Sequence, residues 1–288
     1  MTLPAEPTTR EATLADLSGI AALRESVGWG VHEWALRAVI GQPHARCVVV
    51  TDGAGAVAAV GSGIVYGPIG FVGNMVVAER HRRRGLGSEV LTAVISFLEG
   101  AGCVRLELNA TSEGRPLYER HGFASIGTSM TATIGRETPL VPDPRVEVRA
   151  PETDEDLEAL IAYDRPRFGG DRRALLQILS ADAAAQLLLA ERGGHLEGYA
   201  GLRADPPRIG PLLAETPDVA AALLVDAFER AKSVTTLRIN LPPTNRPGAA
   251  WLGGLGVEIE PWDGRMARGP QVPRRDETVY GMAVGALG

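Results

Sequence analysis

Phe71-Val72-Gly73-Asn74-Met75-Val76-Val77, followed by Ala78-Glu79-Arg80-His81-Arg82-Arg83-Arg84-Gly85-Leu86-Gly87-Ser88, is the stretch around which the chain is organised. Its first seven residues form a short, mostly apolar run that reads as a strand. A basic turn bearing glycines follows, and residues 88–98 then carry apolar side chains at helical spacing. The order is strand, anion loop, helix. At a helix start several backbone N–H groups lack an intrahelical partner and the positive end of the macrodipole faces outward, so a phosphate can sit there with little side-chain help. Gly85 and Gly87 let the backbone approach such an anion closely. Taken without its surroundings, Arg80 to Arg84 reads as a solvated basic run or a nucleic-acid patch rather than as an anion loop.

The surroundings decide. Arg82-x-x-Gly85-x-Gly87 is not a Walker A loop, because no Gly-Lys-Ser/Thr follows, and it lacks the Gly-x-Gly-x-x-Gly of a dinucleotide fold. Beyond the helix, Val104-Arg105-Leu106-Glu107-Leu108-Asn109 alternates as a strand does, and Pro116-Leu117-Tyr118-Glu119-Arg120-His121-Gly122-Phe123 follows it. Loop and segment, in this order and at this distance, resemble the GCN5-related N-acetyltransferases, over residues 9–133. Arg83 stands where that family often has glycine.

The resemblance implies acetyl-coenzyme A as donor and a primary amine as acceptor. It places the pyrophosphate on Arg82, Arg83, Arg84, Gly85, Leu86, Gly87 and Ser88, mostly through backbone N–H groups. It sets the pantetheine arm beside the strand from Asn74 to Val77 like an added strand, and counts Met75, Val76, Val77 and Asn109 with the coenzyme site. A free N–H of Met75 or Val76 would face the thioester oxygen, and Tyr118 would protonate the departing thiolate. An alkylamine of pKa about 10 needs a base or a water chain before it can attack. The sequence singles none out; His32 and Glu33, on the helix that walls the acceptor site in the family, are the residues to test. His121, just before Gly122, reads as a turn residue, and Glu79 as one that caps or solvates the loop.

Upstream, residues 1–8 hold two prolines and little to bury, which reads as a frayed lead-in. A strand at 9–13, helices from Leu14 and Val31, and a hairpin across Asp52-Gly53-Ala54-Gly55 complete the family's order. Residues 124–133 supply a last strand, and three prolines in residues 139–144 mark a linker.

A second unit then repeats the first. Thr153-Asp154-Glu155-Asp156-Leu157 opens a capped helix after a short extended piece, residues 187–202 form a hairpin over Gly193-Gly194, and Ile209-Gly210-Pro211-Leu212-Leu213 stands where the central strand belongs. Its chemistry is missing. Ala214-Glu215-Thr216-Pro217-Asp218 is acidic and free of glycine where the first copy has its anion loop, and Leu252 takes the place of Tyr118. Tyr163 to Arg172 resembles the opening of the family's C-terminal partner domain.

The expected architecture is therefore α/β. Two tandem domains, 1–138 catalytic and 146–288 degenerate, are joined by a linker at 139–145, each a mixed, mostly antiparallel sheet flanked by helices. The second domain is expected to close over the first as a wall of the acceptor pocket. Trp29, Trp34, Trp251 and Trp262 are candidates to line that cleft, and Asp164, Asp171 and Glu215 to meet a cationic amine.

Composition sets the outer limits. At about 150 residues per domain, 288 residues suit two. A net charge of −6 argues against a nucleic-acid partner. No apolar run approaches membrane-spanning length and no signal peptide is visible, so the expectation is a cytoplasmic protein without a membrane partner. Cys47 and Cys103 are isolated and read as buried thiols, and no metal site is expected. The expected partner is a small-molecule amine or a peptide amine, the chain being a monomer or a homodimer. The alternative is a coenzyme A-binding regulatory or sensor protein without turnover.

Overall fold

The computed structural model describes residues 8–30 and 33–288. In its first half, β1 (Thr8–Glu11), α1 (Leu17–Glu25), α2 (Glu33–Arg37), β2 (Ala45–Thr51), β3 (Val57–Tyr66) and β4 (Ile69–Val77) lead to α3 (Leu86–Gly100). After it come β5 (Arg105–Ala110), α4 (Arg115–Arg120) and β6 (Ala124–Gly135). The second half runs through the same succession. It comprises β7 (Val146–Arg149), α5 (Asp154–Phe168), α6 (Arg173–Ala181), β8 (Ala185–Arg192), β9 (His195–Ala204), β10 (Pro207–Ala214), α7 (Pro217–Arg230), β11 (Thr236–Leu241), α8 (Arg246–Gly254) and β12 (Ile259–Arg268). One strand, β13 (Val279–Gly281), has no counterpart in the first half.

Local sequence accounts for these elements. On α3, Val90, Leu91, Val94, Ile95 and Leu98 recur at helical spacing and are buried, each such side chain contributing about 1.5–3 kcal/mol. Thr153 caps α5, accepting from the Asp156 amide while the Asp156 carboxylate accepts from the Thr153 amide, and Gly169 ends it with φ +85°.

The strands form one sheet in the order β1-β2-β3-β4-β5-β12-β6-β11-β10-β9-β8-β7, with β13 on β10. The two halves, each a mixed, mostly antiparallel set of strands flanked by helices as expected, are continuous in this one sheet. Each half sends its last strand into the other. β12 pairs antiparallel with β5, from Gly264↔Ala110 to Arg268↔Leu106, while β6 pairs with β11 from Leu241↔Met130 to Thr236↔Gly135. The exchanged strands pair with each other at the centre.

Charge fixes the exchange as well as hydrogen bonding. Glu107, on β5, is fully buried; Arg265 of β12 donates to it at 2.7 Å and Arg274 at 2.9 Å, and Arg105 lies on its other side. Burial alone would raise this carboxyl, but Arg265, Arg274 and Arg105 together hold it at about 2.

Three cores result. One lies under α3, another under α7, and a third, on the opposite face of the sheet, draws on both halves: Leu36 and Phe71 from the first, Leu160, Tyr199 and Leu213 from the second, and Leu287 from the closing segment. Cys47 and Cys103 are buried, which pushes their thiols up to about 12 and about 11. Among the described residues no helix is long and apolar enough to cross a membrane.

Candidate active site

The site begins at an irregularity in β4. Ser62 faces Gly73 and Val60 faces Val76, so that Asn74 and Met75 together oppose Gly61. That is a β-bulge, and Asn74 carries it at φ +55°, a conformation asparagine tolerates better than most residues. Its amide group is held on both sides: Oδ1 accepts from Arg24, and Nδ2 donates to Ser62 Oγ at 2.8 Å. The parallel pairing of β4 with β5 runs from Ile69↔Arg105 to Val72↔Leu108 and stops there. Beyond Val72 the edge of β4 that faced β5 has no strand partner among the described residues; the backbone of Ala286 packs against Gly73, and Met75, Val76 and Val77 lie along the edge past it.

A cavity of about 330 Å3 opens at this gap. The first half contributes Met75, Asn109 and Tyr118, with Arg24 and Trp29 behind them. The second half contributes Arg208 from β10, Arg238 from β11, and Trp262 and Asp263 from the exchanged β12. Residues 284–286 close one side, where Asn109 Nδ2 donates to the Gly285 carbonyl at 3.1 Å.

Tyr118 is buried on the short α4, its ring edge-on to Phe123 at 6.1 Å. Burial, with a smaller contribution from Asp263, pushes its phenol upward, so it stays protonated at neutral pH. The Asp263 carboxyl is likewise raised, by burial and then by Glu113. Among the described residues it is the one carboxylate lining the cavity.

The glycine loop follows the open strand directly. A single 3-10 turn, Glu79–His81, leads into Arg82, whose Nε donates to the Val77 carbonyl at 3.2 Å. Arg83 at φ +62° and Gly85 at φ +85° then turn the chain into α3. The amides of Leu86, Gly87 and Ser88 open that helix and have no intrahelical acceptor. Arg82, Arg83 and Arg84 are exposed and have no carboxylate partner among the described residues. Ser88 Oγ lies 2.8 Å from His121 Nε2, which ties the start of α3 to the end of α4.

Several sequence expectations fall elsewhere. Glu33 is exposed and pairs with Arg37 at 2.7 Å, away from the cavity lining; His32 and residues 1–7 lie outside the described residues. Asp164 is buried between Arg172 and Tyr199, Asp171 pairs with Arg165, and Glu215 with Arg167 and Arg275, so none of the three faces an incoming amine. Of the tryptophans, Trp29 and Trp262 line the cavity. Trp34 lies under the Arg203 guanidinium and Trp251 packs edge-on to Tyr280.

Asn74 lies on the strand expected beside the pantetheine arm, and its place at the bulge is a finding of the structure. Arg24, Asp263, Arg208 and Arg238 are not among the site residues the sequence reading names. Nothing local marks the last three, which reach the cavity through the joining of the two halves.

The second half repeats the bulge without the opening. Ile209 faces Leu202 and Leu212 faces Ala200, so Gly210 and Pro211 oppose Gly201 as Asn74 and Met75 oppose Gly61. Pro211 has no N–H to offer where Met75 has one. The gap between β10 and β11, which pair only at Arg208↔Arg238, is filled by β13 through Leu212↔Gly281 and Leu213↔Val279, and the Met282 amide donates to Asn240 at 2.8 Å. Pro217 and Asp218 occupy the first turn of α7, and Leu252 is buried in the second core.

Two comparisons by family match the chain without overlap: the acetyltransferase (GNAT) family over residues 16–123 and an acetyltransferase (GNAT) domain over residues 160–281, together well over half its length. The chain is 30% identical over 181 residues to the uncharacterized N-acetyltransferase YitH of Bacillus subtilis, a match spanning 62% of each protein. It is 26% identical over 98 residues to the glucosamine 6-phosphate N-acetyltransferase of Arabidopsis thaliana, covering 32% of this chain and 66% of that enzyme. It thus spans less than two thirds of either relative. Among solved structures, a Pyrococcus horikoshii protein described as a candidate acetyltransferase superposes with a TM-score of 0.79 at 22% identity, over 100% of this chain and 98% of that one. A tandem GNAT protein from the clavulanic acid biosynthesis pathway superposes with a TM-score of 0.64 at 16% identity, over 92% and 100%. At these identities the structural likeness speaks for the fold alone.

Proposed function

The chain belongs to the GCN5-related N-acetyltransferase family in tandem form, and on that premise we propose that its first half transfers an acetyl group from acetyl-coenzyme A to the amine of a small acceptor, while its second half binds no coenzyme. The observation that carries this reading is the gap between β4 and β5: it is open, it ends at a buried tyrosine, and it leads directly into a glycine loop at a helix start.

When bound, acetyl-coenzyme A supplies an acyl thioester. The amides from Arg83 to Ser88 hold its pyrophosphate, and the guanidinium groups of Arg82 to Arg84 add attraction. The unpaired edge of β4 takes the pantetheine amides as a neighbouring strand would. An N–H of Met75 or Val76, set free by the bulge, donates to the carbonyl oxygen as negative charge develops there. Asp263 takes one proton from the ammonium form of the acceptor, the freed amine nitrogen forms the new bond to the acyl carbon, the carbon–sulfur bond breaks, the acylated nitrogen loses its second proton to solvent, and Asp263 later returns its own proton to solvent. Tyr118 gives its proton to the sulfur and regains one from solvent.

The test is release of free thiol from acetyl-coenzyme A across a panel of amines. Tyr118→Phe is expected to lower turnover roughly 10²-fold with coenzyme affinity kept. Unchanged turnover would remove Tyr118 from the mechanism. Coenzyme binding without acceptor-dependent release for any amine would favour a coenzyme-responsive binding protein.

A further inference from the structure

The cavity is basic on the side the second half supplies. Arg208 and Arg238 are register partners on the parallel strands β10 and β11, so two like charges stand on neighbouring strands about 4.8 Å apart. Arg238 Nε donates to Thr131 Oγ1 at 3.1 Å, a neutral partner. Neither arginine meets a carboxylate among the described residues. Burial, then Arg238 and Arg203, bring the Arg208 guanidinium down to about 10, the mark of a cation held against its preference.

A third arginine adds to the field. Arg24 is buried, donating to Asn74 Oδ1 and to the Gly30 carbonyl at 3.0 Å, while its Nε has no partner among the described residues. A buried cation without an anion is costly to keep. Arg208 is half-buried and Arg238 exposed at the rim, so three cations of graded burial and without a carboxylate among the described residues line one cavity, in a chain of net charge −6, and mark a place where negative charge is supplied from outside.

We infer that Arg208 and Arg238, backed by Arg24, form an anion subsite that reads a phosphate or carboxylate on the acceptor, so that the substrate is a small molecule carrying an amine at one end and an acidic group at the other. The inference rests on the acetyltransferase reading and narrows its acceptor. The coenzyme's own phosphates belong to the loop from Arg82 to Ser88, which does not line this cavity. Asp263 gives the cavity a negative group to meet the amine, and the arginines give it a positive group to meet the acid. A volume of about 330 Å3 suits a molecule of that size.

The experiment is calorimetry on the full chain with coenzyme A present, using two matched pairs of probes: ethanolamine against phosphoethanolamine, and propylamine against β-alanine. One acidic probe at least is expected to bind ten-fold or more tightly than its neutral partner, and which one does so distinguishes phosphate from carboxylate. In Arg208→Gln/Arg238→Gln that preference should fall ten-fold or more with coenzyme A affinity unchanged. Because two like charges are removed, the thermal midpoint of this variant without ligand should hold or rise. Equal or undetectable binding of acidic and neutral probes overturns the inference, as does a preference that survives in the variant. A parallel loss of coenzyme A affinity, or a lowered midpoint, would assign the arginines to the coenzyme or to structure instead. Binding is read without turnover, so failure here and failure of the acetyl-transfer reading remain separate results.

Discussion

The gap between β4 and β5 and the gap between β10 and β11 share one backbone design and put it to opposite uses. Each follows a bulge in which two residues oppose a single glycine, Gly61 in one case and Gly201 in the other. In the first, Met75 keeps an N–H, the next turn carries Gly85 and Gly87, and past Gly73, where Ala286 packs, the edge of the strand carries no paired strand among the described residues. In the second, Pro211 removes the N–H, Glu215 and Asp218 replace the anion loop, and β13 fills the opening. A splayed sheet is a slot for an extended chain. Whether it takes a pantetheine arm or a piece of its own protein is set by a few residues at its mouth. The filled slot still serves the open one, because β13 anchors the segment whose residues 284–286 wall the active cavity.

The largest test of this division is removal of the second half. Strand exchange leaves β5 without β12 and β6 without β11, so a chain cut after the linker should show no cooperative unfolding transition, and retention of a native-like fold would refute the interlocked description. Glu107→Ala strikes the same seam more gently. It leaves Arg265 buried without its anion, which should cost about 3–5 kcal/mol in denaturant titration. The sign of the pH effect follows from the carboxyl's position at about 2 against an ordinary 4.5. The stabilisation is complete above the higher value and is lost as pH falls toward the lower, so Glu107→Gln should flatten the acid limb of the stability curve over that window.

Smaller changes exchange the two gaps residue by residue. Met75→Pro gives the first bulge the second's residue and, where Met75 is the donor to the carbonyl oxygen, should lower turnover by about 10²–10³-fold with loop binding of coenzyme A kept. Undiminished turnover would assign that role to Val76. Asp263→Asn should cost about 10²-fold and remove the acid limb of the pH–rate profile, where the wild-type rate falls as the carboxylate protonates, while leaving coenzyme affinity in place.

The sequence was most legible where chemistry is local. The strand, glycine loop and helix from Ile69 to Gly100, the Tyr118 segment and the repeated order of elements all rest on spacing within a few turns of chain. Pairing partners were not legible. Alternation shows that residues 124–135 and 259–268 are strands, and it is silent on which edge each joins. Glu107 shows the consequence. In Arg105-Leu106-Glu107-Leu108 it reads as the solvent face of a strand, yet it is fully buried, because two of the three arginines that neutralise it, Arg265 and Arg274, stand 158 and 167 residues away. Asp263, Arg208 and Arg238 escaped for the same reason. Glu33 and Asp164, by contrast, drew attention by residue type, and each is spent on an arginine elsewhere.

The most direct measurement is the stoichiometry of coenzyme A binding to the full chain by calorimetry, for the wild type and for Arg82→Glu/Arg83→Glu/Arg84→Glu, whose exposed positions spare the fold. One coenzyme per chain, with affinity reduced ten-fold or more in the variant, is the predicted result. Two coenzymes per chain, or one whose affinity ignores the loop, would contradict the division of the molecule into an open half and a filled one.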